Sequence, residues 1–184
     1  AILEVSDLPL QLDSSDPAAL EAALRIYPGK PIVNSVNGKE ESLATVLPLV
    51  KKYGAAVVGL TMDEQGIPAT AEGRFAIAER ILNRATAVGI PREDVWIDCL
   101  TLTVSAQQEQ AAETLQAVRR VTEELGLCTV LGVSNISFGL PNRMLVTQAF
   151  LMSAMEAGLK MPILNPNQQE IMDMIAARKV LNGE

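Results

Sequence analysis

Short apolar runs alternate with longer amphipathic segments from one end of this chain to the other, and that alternation leaves few folds open. Runs expected as strands lie at 8–12, 32–35, 56–61, 95–98, 129–134 and 162–164. Between them a 3.6-residue period predicts helices over about 17–26, 41–53, 71–88, 105–125, 144–157 and 168–181. Asp16 and Pro17 offer an N-cap followed by proline at the first helical position. Gly54, Gly89, Gly126 and Gly158 each follow a helical segment, where a C-cap favours glycine, and they recur at 35, 37 and 32 residues, one βα cycle each. Pro48 falls inside the second helix and is expected to kink it or to mark its first turn.

Near-continuous apolar strands separated by amphipathic helices mean a parallel sheet covered by helices. An open doubly wound sheet and a closed (β/α)8 barrel both satisfy that pattern. The open sheet normally carries a glycine-rich phosphate turn, and neither GxGxxG nor GxxxxGK[ST] occurs, which favours the barrel. Residues 1–5 read as the last turn of a helix. Six cycles then correspond to strands 3 to 8 of a barrel that usually needs about 250 residues. The expectation is an α/β, (β/α)8 TIM barrel in which residues 1–184 form one domain lacking its first two βα units.

A formal charge of −7 argues against a nucleic-acid partner, whose phosphates need a basic face. The chain has no histidine, which removes the usual base near neutrality, the commonest metal ligand and any His-dependent triad. Chemistry here must rest on carboxylates, amides, hydroxyls, thiols or a group brought from outside. Cys99 and Cys128 lie 29 residues apart without a CxxC pattern, as reduced thiols would. No apolar run approaches the roughly 18–20 residues of a membrane span, and no signal peptide is visible. A cytoplasmic location, no membrane partner and no metal site are expected.

Each expected strand finishes on something polar: Asp13, Asn34-Ser35, Thr61, Asp98, Ser134-Asn135 and Asn165. In a barrel these positions share one rim. Turn residues of these types also begin ordinary loops, but six in succession, with two carboxylates and three amides, favour a site. The set is too sparse in acids for a hard cation and too rich in amides for a glycosidase pair. It suits a flat, nitrogen-rich heterocycle. A carboxylate accepts two parallel N–H bonds from an aminopyrimidinone edge, and asparagine complements mixed edges. Met62, Met144, Met152, Met155 and Met161 read as core filler, Cys99 as an inert wall thiol, and Trp96 as packing.

The segments LDSSDPAALEAAL, IVNSVN, GLTMDEQGIP, WIDCL and, at 132–143, GVSNISFGLPNR together resemble the methyltetrahydrofolate-binding (pterin-binding) methyltransferase domain. That family includes the folate module of cobalamin-dependent methionine synthase and the methyltransferases that serve corrinoid proteins. The likeness runs in order over essentially the whole chain. It implies a (β/α)8 barrel binding 5-methyltetrahydrofolate, or tetrahydrofolate, on the C-terminal rim. By resemblance, Asp13, Asn34 and Asp98 contact the pterin. Asn135 sits near N5, which carries the methyl group, and is the catalytic candidate. Ser134, Asn165 and Arg143 are secondary candidates; Arg143 fits a structural ion pair as well as a ligand contact. Cobalamin would ride on a partner corrinoid protein or domain, since the DxHxxG pattern needs a histidine. Stand-alone members of the family suggest a homodimer. The rival readings are a non-catalytic folate-binding module and a dihydropteroate synthase-like pterin enzyme.

Overall fold

A computed structural model describes residues 2–183. Six strands, β1 (Gln11–Asp13), β2 (Ile32–Asn37), β3 (Ala56–Leu60), β4 (Val95–Asp98), β5 (Cys128–Gly132) and β6 (Met161–Ile163), form one parallel sheet in unbroken sequence order. The helices are α1 (Pro17–Ile26), α2 (Glu40–Tyr53), α3 (Ala71–Ala87), α4 (Gln110–Glu123), α5 (Arg143–Glu156) and α6 (Gln169–Asn182). Parallel neighbours in sequence order need crossovers of one hand, which puts every helix on the same face. The sheet curls away from them into a half-barrel. Among the described residues β1 and β6 are its two edges and do not pair with each other.

The local signals act as expected. The Asp16 carboxylate accepts from the Ala18 N–H at 2.8 Å and Pro17 opens α1. Thr70 Oγ1 accepts from the Gly73 N–H and starts α3. Gly54 closes α2 in the left-handed conformation at φ 65°. That helix runs through Pro48 as one element. Residues 2–5 hold a 3-10 turn, Ile2–Glu4, where the sequence suggests the last turn of a helix over residues 1–5; residue 1 lies outside the described residues. Several strand ends move by one to three residues, and two of the shifts have a clear cause. The first strand begins at Gln11 instead of residue 8 because Leu8 to Leu10 contain Pro9, which cannot donate to a ladder. The fifth stops at Gly132, and Val133–Ser137 form a 3-10 turn that lifts Ser134 and Asn135 clear of the sheet.

Period-two alternation sorts the strands into two faces. Val33, Val57, Ile97 and Leu131 are fully buried in the core against the helices. Each such side chain contributes roughly 1.5–3 kcal/mol by leaving water. Gly59 in β3 has no side chain because α3 lies against it; a Cβ there would stand 2.8 Å from Ile81 Cγ2. The register aligns Asp13 with Asn34 and Asn34 with Val58, and aligns Asn37, Leu60, Asp98 and Val130 one layer higher. All of these face the concave side. A bulge between Asn34 and Val36 inserts Ser35 as an extra residue, so Asn34 and Asn37 both face inward while Val36 stays in the core.

The floor of the concave side, at the strand N-termini, is apolar. Leu8, Ile32, Ala56, Trp96 and Met161 line a hollow of about 560 Å³ beside the Lys30–Asp94 ion pair. Met161 is 40 % exposed there, so it is not the core filler its sequence context predicts. Met144 and Met155 pack against the core from its edge. No helix among the described residues is long and apolar enough to cross a membrane.

Candidate functional site: the polar rim

The C-terminal ends of the strands carry the polar residues. Asp13 and Asn34, from adjacent strands, meet directly: Asn34 Nδ2 donates to Asp13 Oδ2 at 3.3 Å. They share a cleft of about 460 Å³ with Ser14, Ser35, Asn37 and Lys39. Asn37 extends the expected set. Its Oδ1 accepts from the Lys39 N–H at 2.9 Å. An alternating strand read without the bulge turns it toward the helices, so its signal was the irregular spacing of asparagines three apart.

Asp98 lies two strands from Asn34 and differs in kind. It is only 9 % exposed, and burial raises its carboxyl to about 6. Two effects oppose that rise: the Leu100 N–H donates to Asp98 Oδ1 at 2.8 Å, and the Arg74 guanidinium acts through space. Leu100 adopts φ 62°, a left-handed conformation costly for a residue with a side chain. Cys99, directly behind, is fully buried, and its thiol is pushed up by desolvation and by Asp98. Burial keeps it in the poorly nucleophilic protonated form, but it sits in the core and not on the pocket wall that its sequence context suggests.

Asn135 is exposed on the rim above the end of β5. Its amide folds back over Gly132, with Nδ2 3.1 Å from the point a Cβ would occupy. Glycine at 132 therefore makes room for this side chain. Ser134 and Asn165 line a second cleft, of about 420 Å³, with Arg143 and Ser137. Asn165 Oδ1 accepts from the Asn167 N–H at 3.0 Å, which is the loop-forming role of this residue type. Arg143 makes no ion pair among the described residues. Its Nε donates to Ser137 Oγ and its Nη2 to the Ser134 carbonyl, both at 3.2 Å, and the guanidinium stacks on Phe138. Thr61 is withdrawn from the rim: it is fully buried, and its Oγ1 donates to the Asp98 carbonyl at 3.2 Å.

The rim thus presents an aspartate–asparagine pair, a deeply set carboxylate and a raised amide along one curved edge. Such a set can accept and donate around the perimeter of a flat heterocycle. No group of three or more Cys, Asp or Glu side chains among the described residues is placed to hold a metal ion.

The family described as pterin binding enzyme matches residues 1–165. The chain belongs to that family. Its relatives include methionine synthase of Mycobacterium leprae, 39 % identical over 177 residues covering 89 % of this chain and 15 % of that protein. Methylcorrinoid:tetrahydrofolate methyltransferase of Eubacterium limosum is 27 % identical over 187 residues, 99 % of this chain and 68 % of that protein. The chain therefore spans only a small part of the methionine synthases it matches. Among solved structures, dihydropteroate synthase from Xanthomonas albilineans in complex with 7,8-dihydropteroate superposes with a TM-score of 0.73 at 16 % identity, covering 100 % of this chain and 70 % of that one. The Thermus thermophilus enzyme gives 0.68 at 19 % identity, covering 96 % and 72 %. At such identities the likeness is one of fold, and it matches this chain to TIM barrels.

Proposed function

We propose that this domain holds 5-methyltetrahydrofolate on its rim while the N5 methyl group passes to a corrinoid carried by a partner domain or protein. The observation that supports it most is the inward-facing Asp98, buried one layer above the Asp13–Asn34 pair on the same concave side, with Asn135 raised beyond the end of the adjacent strand β5. In its ionised form Asp98 accepts two N–H bonds from the aminopyrimidinone edge, and the Asp13–Asn34 pair addresses the neighbouring edge. Two further βα units between β6 and β1 would complete an eight-stranded barrel around the ring.

The partner's corrinoid supplies the nucleophile that takes the methyl group. This chain binds and orients the donor and deals with the leaving nitrogen. When the N5–methyl bond breaks, N5 keeps the electron pair, so it departs well only if it carries a proton. That proton comes from solvent, and Asn135 Oδ1 accepts a hydrogen bond from the N5–H. The contact strengthens as positive charge develops, which is differential transition-state binding. Asn135→Ala is expected to fold normally and to lose ~10²–10³ in methyl transfer at little cost in folate affinity. Stopped-flow transfer from 5-methyltetrahydrofolate to cob(I)alamin, with calorimetric folate titration alongside, measures both. Near-native transfer by the variant would sink the assignment.

A further inference from the structure

The largest fully buried side chain of the molecule is a cation, Arg74, in the first turn of α3 and 0 % exposed. Its Nε donates to the Pro68 carbonyl at 3.0 Å. Nη1 donates to the carbonyls of Cys99 and Leu100, both at 3.0 Å, and to Thr114 Oγ1 at 2.6 Å. Nη2 donates to Gln110 Oε1 at 2.6 Å. All five acceptors are neutral, and Arg74 has no ion pair among the described residues. Leaving a charge buried with only neutral partners is costly, and an apolar side chain of similar volume would fill the space without that cost.

Two things distinguish the guanidinium from such a filler: a rigid fork and a charge. One arm, Nη1, reaches the two carbonyls that directly follow Asp98, while Nε and Nη2 anchor the fork on Pro68 and Gln110. One of those two carbonyls belongs to Leu100, whose left-handed backbone aims its N–H at the Asp98 carboxylate. The charge acts on the same carboxylate through space and favours its ionised form. Among the described residues the other ionisable groups near this pair are Cys99, just past β4, and Glu113 on α4, whose Oε2 accepts from the Ala71 N–H at 2.6 Å. The strands flanking Asp98 offer only Leu60 and Val130.

We propose that Arg74 is a positioning residue for ring binding: from behind the sheet, and without touching ligand, it fixes the Asp98–Leu100 turn and holds the Asp98 carboxylate toward the rim. The proposal rests on the reading of Asp98 as a ring-binding residue. Two substitutions in the full chain separate the fork from the charge. Gln110→Glu keeps an acceptor on Nη2 and sets a negative charge against the guanidinium. Arg74→Lys keeps the charge and removes the fork.

The Asp98 carboxyl is titrated by carbon-13 NMR in the unliganded protein, and 5-methyltetrahydrofolate affinity is measured from pH 5.5 to 8.5, with thermal unfolding as the control. Gln110→Glu is expected to move the Asp98 midpoint from about 6 toward about 7. Affinity then falls several-fold near pH 6.5 and recovers by pH 8.5, where the carboxylate is ionised in both proteins. Arg74→Lys is expected to leave the midpoint near its native position and to weaken binding ~10-fold at every pH through the loosened turn. If Arg74→Lys does not fold, Gln110→Glu alone decides. An unmoved midpoint in Gln110→Glu, or affinity losses that merely follow loss of stability, overturns the proposal. A native chain that binds no folate overturns the functional reading instead, and the Asp98 midpoint still reports on Arg74.

Discussion

Asp98 illustrates how a single residue is held at a cost to the fold. Its carboxyl titrates near 6 in the folded chain against an ordinary 3.8. Between those values the folded chain carries more protons than the unfolded one, so this group's contribution to stability falls as pH rises through the window and stays low above it. The interval corresponds to as much as ~3 kcal/mol. Asp98→Asn is therefore expected to stabilise the chain at pH 8 and to leave it unchanged near pH 4, read by urea unfolding at both. The same change turns a two-oxygen acceptor into a mixed donor and acceptor, and folate affinity is expected to drop at least ~10-fold. Unchanged affinity in a titration would count against Asp98 as a ring contact. Gly132→Ala probes the amide from below. The added methyl would press on Asn135 Nδ2, a flexible target, so the melting temperature should hold while methyl transfer falls ~10–100-fold.

At the scale of elements, the loop after β4 and the turn after β5 behave as one unit. The Val104 N–H donates to the Ile136 carbonyl at 3.0 Å, while Thr103 Oγ1 and Ser105 Oγ both donate to the Phe138 carbonyl, at 2.6 and 2.7 Å. The segments bearing Asp98 and Asn135 are thereby tied together. Replacing Thr103 with Val and Ser105 with Ala should cost ~1–2 kcal/mol and lower the transfer rate more than folate affinity, since Asn135 sits on the tied turn; equal effects on both would argue that the tie does not steer the amide. The cyclic order of strands and helices was legible because period two, period 3.6 and glycine caps are local signals. The α4 start at Gln110 instead of residue 105 was not, because Thr103 and Ser105 are drawn into this tie instead of a helical turn. Arg74 was invisible for a related reason. An arginine in GRFAIAER reads as the solvent face of an amphipathic helix, and only the meeting of α3, α4 and β4 encloses it. Thr61 looked like a rim residue until the register gave its hydroxyl to the neighbouring strand.

For the molecule as a whole, the concave side is unevenly finished. Its rim is polar, yet Leu8 beside the floor is 73 % and Ile163 at the end of the edge strand β6 is 44 % exposed, apolar surface that a closed barrel would cover. This 184-residue chain by itself is expected to bind an environment-sensitive naphthalene dye, and a version joined to two further βα units is expected to lose that fluorescence. Equal dye binding by both would speak against closure. The unbroken strand order has a practical meaning too. Because each βα cycle touches chiefly the cycles on either side, one can be exchanged as a cassette that brings its own tip residue and leaves the others seated. In the proposed function, preference for the heterocycle falls to the first, second and fourth cycles and handling of the departing group to the fifth; the first two are open to change apart from the fifth, whereas the fourth is tied to it.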